Sequence, residues 1–142
     1  MIILCLVVVI LTSIDRATDV VAPQADTLLR VTVLDLDNQP VNNAQITVEG
    51  ESYFTDSKGL SSTIQLRSLN NCYDSNISDW YTVNVRVQGN GYVPAMVFNC
   101  VVYNGQTRRL TVRLYKKDAS NLPYVCYVES PPSDYVKSLL GD

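Results

Sequence analysis

The sequence contains no histidine. That absence removes Ser-His-Asp and Cys-His nucleophile pairs, histidine-ligated zinc and imidazole acid–base chemistry, and with them the commonest routes to catalysis. Cationic charge is scarce as well: 11 Lys and Arg stand against 14 Asp and Glu, a net charge of −3. A chain of that balance offers no net positive field to a phosphate backbone, so nucleic acid is not an expected partner. No apolar run approaches the roughly 20 residues that cross a bilayer, so no stable membrane span is expected. Cys72, Cys100 and Cys126 lie 28 and 26 residues apart, a spacing unlike any zinc pattern, and no cofactor motif occurs. The expectation is a protein that is not an enzyme and holds neither metal nor cofactor.

What is present begins with a leader. Residues 2 to 11 are uninterruptedly apolar and are closed by Thr12, Ser13, Ile14, Asp15 and Arg16. A run of this length reads as the core of a secretory signal peptide, with cleavage near Ser13, Ala17 or Ala22, so residues 1–22 are assigned to signal peptide and lead-in. The other reading is a retained hydrophobic strand, since Val7, Val8, Val9 and Ile10 are β-branched. Secretion places the cysteines in an oxidising compartment. With Cys5 set aside, three remain, which implies one disulfide and one thiol that is buried, capped or bridged to another chain. All three pairings are open; Cys72 with Cys100 is preferred, leaving Cys126 for the tail. Asn76-Ile77-Ser78 is an N-glycosylation sequon in a polar loop and suits the same extracellular route.

From residue 28 the pattern has period two. Leu29, Val31 and Val33 alternate with Arg30, Thr32 and Leu34 before the turn Asp37-Asn38-Gln39-Pro40. Further extended pieces are read at 44–49, 52–55, 60–66, 80–88, 96–103 and 107–115, divided by Gly50, Asp56-Ser57-Lys58-Gly59, a polar loop at 67–79, Gly89-Asn90-Gly91 and Asn104-Gly105. Asn104-Gly105 is the strongest short hairpin signal in the chain. Seven short strands with no amphipathic helix before residue 116 make an all-β, seven-stranded antiparallel Greek-key sandwich over residues 27–116 the economical fold. The extension at 117–142 holds a further β-like run at 122–128, stopped by Pro131-Pro132, and a short helix started by Ser133 and ended by Gly141. A β-run beyond a completed sandwich must join an open sheet edge or pair with another molecule.

Val31 to Asp35, Gln39-Pro40-Val41, Ala44 to Val48, Thr55-Asp56-Ser57-Lys58-Gly59, Tyr81 to Val85 and Gly91-Tyr92 together resemble the carboxypeptidase regulatory-like domains of the transthyretin-like, prealbumin-type superfamily. The resemblance covers about residues 28–115. It implies a two-sheet Greek-key module that supports binding or assembly without catalysis of its own. The hydroxyisourate hydrolases of the same superfamily rely on histidines and a Tyr-Arg-Gly-Ser ending. This chain lacks the former and ends Leu139-Leu140-Gly141-Asp142.

Nine tyrosines against two phenylalanines and one tryptophan are a biased aromatic set. Tyrosine joins an apolar ring to a polar tip and favours contact surfaces, so Tyr124, Tyr127 and Tyr135 in the tail are the candidate partner-binding residues. Asp35, Asp37 and Asn38 superficially suggest calcium, but turn chemistry accounts for them and no metal ligand is assigned. Arg108, Arg109, Arg113, Lys116 and Lys117 crowd ten positions and read as a solvated strand face or a surface for an acidic partner. The function expected is a secreted module acting through protein–protein contact, as a homo-oligomer or filament built by the tail strand. The alternative is an extracellular carrier of a small apolar ligand held in a cavity of a few hundred Å³.

Overall fold

A computed structural model describes residues 25–119 and 121–141; the apolar leader, Cys5 and the cleavage region lie outside the described residues. Alternation becomes strand wherever one face can be buried. Strand β1 (Leu28–Asp35) buries Leu29, Val31 and Val33 and turns Arg30, Thr32 and Leu34 away from the core. β2 (Gln45–Val48) and β3 (Glu51–Phe54) form a hairpin around Glu49 and Gly50, both with positive φ, the conformation that matches strand twist in a two-residue turn. β4 (Ile64–Gln65) is only a short pairing with β1. β5 (Trp80–Gln88), β6 (Ala95–Tyr103) and β7 (Thr107–Leu114) supply the long strands. A 3₁₀ turn at Lys117–Ala119 precedes β8 (Val125–Val128), and helix α1 (Ser133–Leu140) ends against left-handed Gly141.

These elements form two sheets, β4-β1-β7 and β3-β2-β5-β6-β8. Between them lies one apolar cluster that includes Leu29, Val33, Ile46, Val85, Val97, Val102, Val112 and Leu114. Each such side chain, fully buried, contributes about 1.5–3 kcal/mol of transfer free energy. The fold is of the β-sandwich type.

It departs from the expected all-antiparallel arrangement. Eight strands are present among the described residues, and both sheets are mixed: β1 runs parallel to β7 from Leu28↔Thr107 to Asp35↔Leu114, and β6 runs parallel to β8 from Ala95↔Val125 to Phe98↔Val128. Asn104-Gly105 does reverse the chain, but not into a hairpin, because β6 and β7 belong to different sheets. The Gly105 amide donates to Thr27 Oγ1 at 2.9 Å, and the Leu28 amide donates to the Gln106 carbonyl at 2.9 Å. These bonds draw the start of β7 onto the start of β1 instead of leaving it beside β6.

The turns interlock. Asp35 Oδ1 accepts the amides of Asp37 and Gln39 at 2.9 and 2.8 Å, closing the turn that leads to Pro40. Thr55 Oγ1, buried, accepts the Ala44 amide at 2.8 Å and donates to the Val41 carbonyl at 2.6 Å. Gly59 sits at φ 72°, where a Cβ would meet the Val33 carbonyl oxygen at 2.4 Å. Gly91 has φ 80° as well, yet a Cβ there meets nothing within 4 Å. The two positions therefore separate backbone strain from close approach. Gly91→Ala should cost about 1 kcal/mol for the left-handed conformation alone, whereas Gly59→Ala should cost about 3 kcal/mol because the carbonyl must also move. Urea denaturation midpoints measure the difference, and equal losses would contradict the close-approach reading.

Candidate functional site

The C-terminal extension is fastened onto the outer side of the five-stranded sheet. β8 takes the free edge of β6, so the run read at 122–128 completes its own sheet. Glu129, one residue past the strand, accepts the Val101 amide at 2.8 Å and pairs with Arg108 at 2.5 Å. Tyr127 turns inward, packs against the core and donates its hydroxyl to the Arg113 carbonyl at 2.8 Å, tying β8 to the other sheet. Burial raises the pKa of that phenol. Helix α1 follows with Pro132 at its N-cap position, so Ser133 is the first helical residue and not the capping side chain.

A small aromatic cluster holds α1. Tyr135 meets Trp80 at 5.5 Å between ring centroids, and Tyr73 lies 6.0 Å from Trp80 and 6.1 Å from Tyr135. Edge-on and tilted pairs at such separations are attractive. Trp80 is thus buried beneath the tail on the outward face of β5, not in the space between the sheets. The cluster rests on a bulge in which β5–β6 pairing shifts between Val83 and Val85. There Asn99 takes φ 56°, and its amide is satisfied by Asn84 Oδ1 at 3.1 Å.

All three described cysteines are free, and no disulfide joins any two of them. Cys100 points into the core, while the Cys72 amide donates to Thr82 Oγ1 and its sulfur lies 3.5 Å from Asn99 Oδ1. β6 therefore stands between the two preferred partners. Cys126 is exposed on β8 opposite Met96. Burial, then the nearby Glu129 carboxylate, push the Cys100 thiol up to about 11. Arg108 lies beside that thiol, and its Nε is buried without a hydrogen-bond partner. Asn76 is exposed in a turn where Asp74 Oδ1 accepts both its amide and its side-chain Nδ2. Of the tail tyrosines, Tyr127 and Tyr135 serve internal contacts, and Tyr124 is 63% exposed.

Asp35, Asp37 and Asn38 form a turn satisfied from within. Asp35 accepts backbone amides, Lys116 Nζ stands 3.8 Å from both carboxylates, and Asn38 Oδ1 accepts from Arg113. No group of three acidic or cysteine side chains suited to a metal ion occurs among the described residues. Two recesses of about 320 and 340 Å³ lie on the surface and have charged and polar linings.

No family model matches the chain, and no curated protein matches it. Among solved structures, the Bacillus anthracis TIE protein is similar over 65% of this chain at 15% identity, with a TM-score of 0.46. This chain covers 17% of that protein's length.

The C-terminal region presents several large apolar side chains outward, among polar ones. Leu122, Tyr124, Val128, Val136, Leu139 and Leu140 are 37 to 75% exposed. No helix among the described residues is long and apolar enough to cross a membrane. The alternation of 122–128 signalled the strand in the sequence. The partnership of Trp80 with Tyr135, 55 residues apart, had no local signal.

The three thiols differ enough in burial for a chemical check. An alkylating reagent at neutral pH should modify Cys72 and Cys126 in the folded protein and reach Cys100 only on denaturation. The folded Cys100 pKa lies above its ordinary value of 9.0, so its contribution to stability is intact below about pH 9 and is lost as pH rises towards 11. Cys100→Ala should flatten that alkaline loss in a series of denaturation curves. Cys100 labelling as fast as Cys72 would contradict the placement.

Proposed function

We propose that the chain is a secreted, non-catalytic β-sandwich module of the transthyretin-like kind that acts through protein–protein contact and associates with itself through its C-terminal segment. The observation that carries this reading is the concentration of exposed apolar side chains between Leu122 and Leu140 on a domain whose core is otherwise well enclosed. Clustered apolar exposure on a soluble surface marks a contact site. β8 adds a second feature, since it is the outermost strand of its sheet and an outer strand has one side open to pairing. The tail strand in this reading is spent first on its own β6 edge, and the surface it creates there makes the contact. The apolar leader and the exposed sequon at Asn76 support secretion.

Because β8 shields β6, point substitutions test the proposal better than removing the tail. Leu139 and Leu140 are 68 and 75% exposed, so changing both to Asp should alter fold stability by no more than about 0.5 kcal/mol each. Sedimentation velocity should show concentration-dependent association of the parent protein and a monomer for Leu139→Asp/Leu140→Asp. A parent protein that stays monomeric at high micromolar concentration would refute self-association.

A further inference from the structure

The parallel register of β1 and β7 sets Arg30 directly beside Arg109 on the outward face of the three-stranded sheet. Adjacent strands are separated by about 4.8 Å, and like charges directly opposite one another across a sheet are destabilising. Three other members of the basic cluster have partners: Arg108 has Glu129, Arg113 has Asn38, and Lys116 has Asp35 and Asp37. Neither Arg30 nor Arg109 has an ion pair or a side-chain hydrogen bond among the described residues. The Arg30 charge adds weakly to the lowering of the Asp56 pKa, which owes most to the Leu60 amide, and the Asp56 carboxylate is already engaged by the amides of Leu60 and Lys58.

The pair is not on a flat face. Arg30, Thr32 and Arg109 line a recess of about 210 Å³. Arg109 also lines a second recess of about 340 Å³ with Tyr103, Gln106, Thr107 and Arg108, and Tyr103 is 43% exposed. Arg109 thus stands between one recess that offers the Arg30 guanidinium and the Thr32 hydroxyl and another that offers the Thr107 hydroxyl, the Gln106 carboxamide and Tyr103. Guanidinium forks bind carboxylate and sulfate-like groups, an aromatic face stacks on the apolar face of a sugar ring, and the hydroxyls and amide hydrogen-bond sugar hydroxyls.

We propose that the two recesses flanking Arg109 bind an acidic saccharide, with its anionic group between Arg30 and Arg109 and a neighbouring ring against Tyr103. The anion is a sulfate ester or a uronic carboxylate, groups that share the chemistry the arginines recognise. This site adjoins the C-terminal extension, since Tyr103 also lines a recess with Glu129, Ser130 and Pro132, but it does not depend on self-association.

Isothermal titration of the full mature chain at low salt tests it. The probes are a heparin-derived hexasaccharide, an oligogalacturonate hexamer, maltohexaose, and a single-stranded oligonucleotide of charge matched to the heparin fragment. The expected result is saturable binding of at least one acidic hexasaccharide, with the sulfated and uronate probes reporting which anion is preferred, and no binding of maltohexaose. Arg30→Ala/Arg109→Ala should weaken binding about tenfold or more, while Tyr103→Ala should weaken it with the salt dependence unchanged. Both arginines are exposed, so the double variant should fold, and loss of the like-charge pair should raise its Tm slightly at low salt. Failure of both acidic hexasaccharides to bind would overturn the proposal. So would equal binding of the oligonucleotide, or unchanged affinity in the double variant.

Discussion

Eight residues of β1 lie parallel and in register with eight of β7, and most of the molecule's other features follow from that pairing. It joins the first long strand of the domain to the last, so the three-stranded sheet exists only when the chain has come round. It sets Leu29, Val31 and Val33 beside the inward residues of β7 and closes one wall of the core. On the outward side it forces Arg30 against Arg109. By delivering the end of β7 beside the end of β1, it also leaves the chain at the point from which residues 115–124 carry the tail across to β6. A parallel pair needs a long connection, and here the connection carries β2, β3, β5 and β6 of the second sheet and the short β4 of the first.

The short motifs of the turns act as fasteners for that arrangement. Thr55 joins Val41 to Ala44 through one buried hydroxyl, and Gly59 lets its own segment pass against the Val33 carbonyl. A buried hydroxyl that both donates and accepts incurs no desolvation deficit. The tail is held differently, by an edge pairing, one half-buried ion pair and a few rings. α1 has no buried residue. Partly exposed contacts of this kind contribute little each.

The strands were legible in the sequence because their alternation is local. Tyr81, Val83, Val85 and Val87 declare one face within a few residues, and the observed strands differ from the expected ones mainly at their ends. The 60–66 piece is the exception, with strand pairing only at Ile64–Gln65 and Thr32↔Leu60 and Thr55↔Ser61 as isolated bridges. Sheet membership was not legible. Asn-Gly specifies that the chain turns, while the hydrogen bonds of Thr27 and Gln106 decide which strand lies next to β7, and those partners are far apart in sequence. The same limit applies to the cysteines. Their number suggested a bridge, but facing depends on the bulge at Asn99, and Cys72 and Cys100 end on opposite sides of β6. Arg30 was invisible as a partner of Arg109 for the same reason.

The parallel register can be tested directly. Thr32 and Thr111 are register partners that both turn away from the core, so Thr32→Cys/Thr111→Cys, made with the native cysteines replaced, places two thiols within bridging distance. Under mild oxidation the account predicts an intramolecular disulfide between the two introduced thiols in nearly every molecule, with little change in circular dichroism. A chain that leaves both thiols free, or that bridges readily only when Thr32→Cys is combined with a cysteine on β6, would contradict the pairing on which the rest depends.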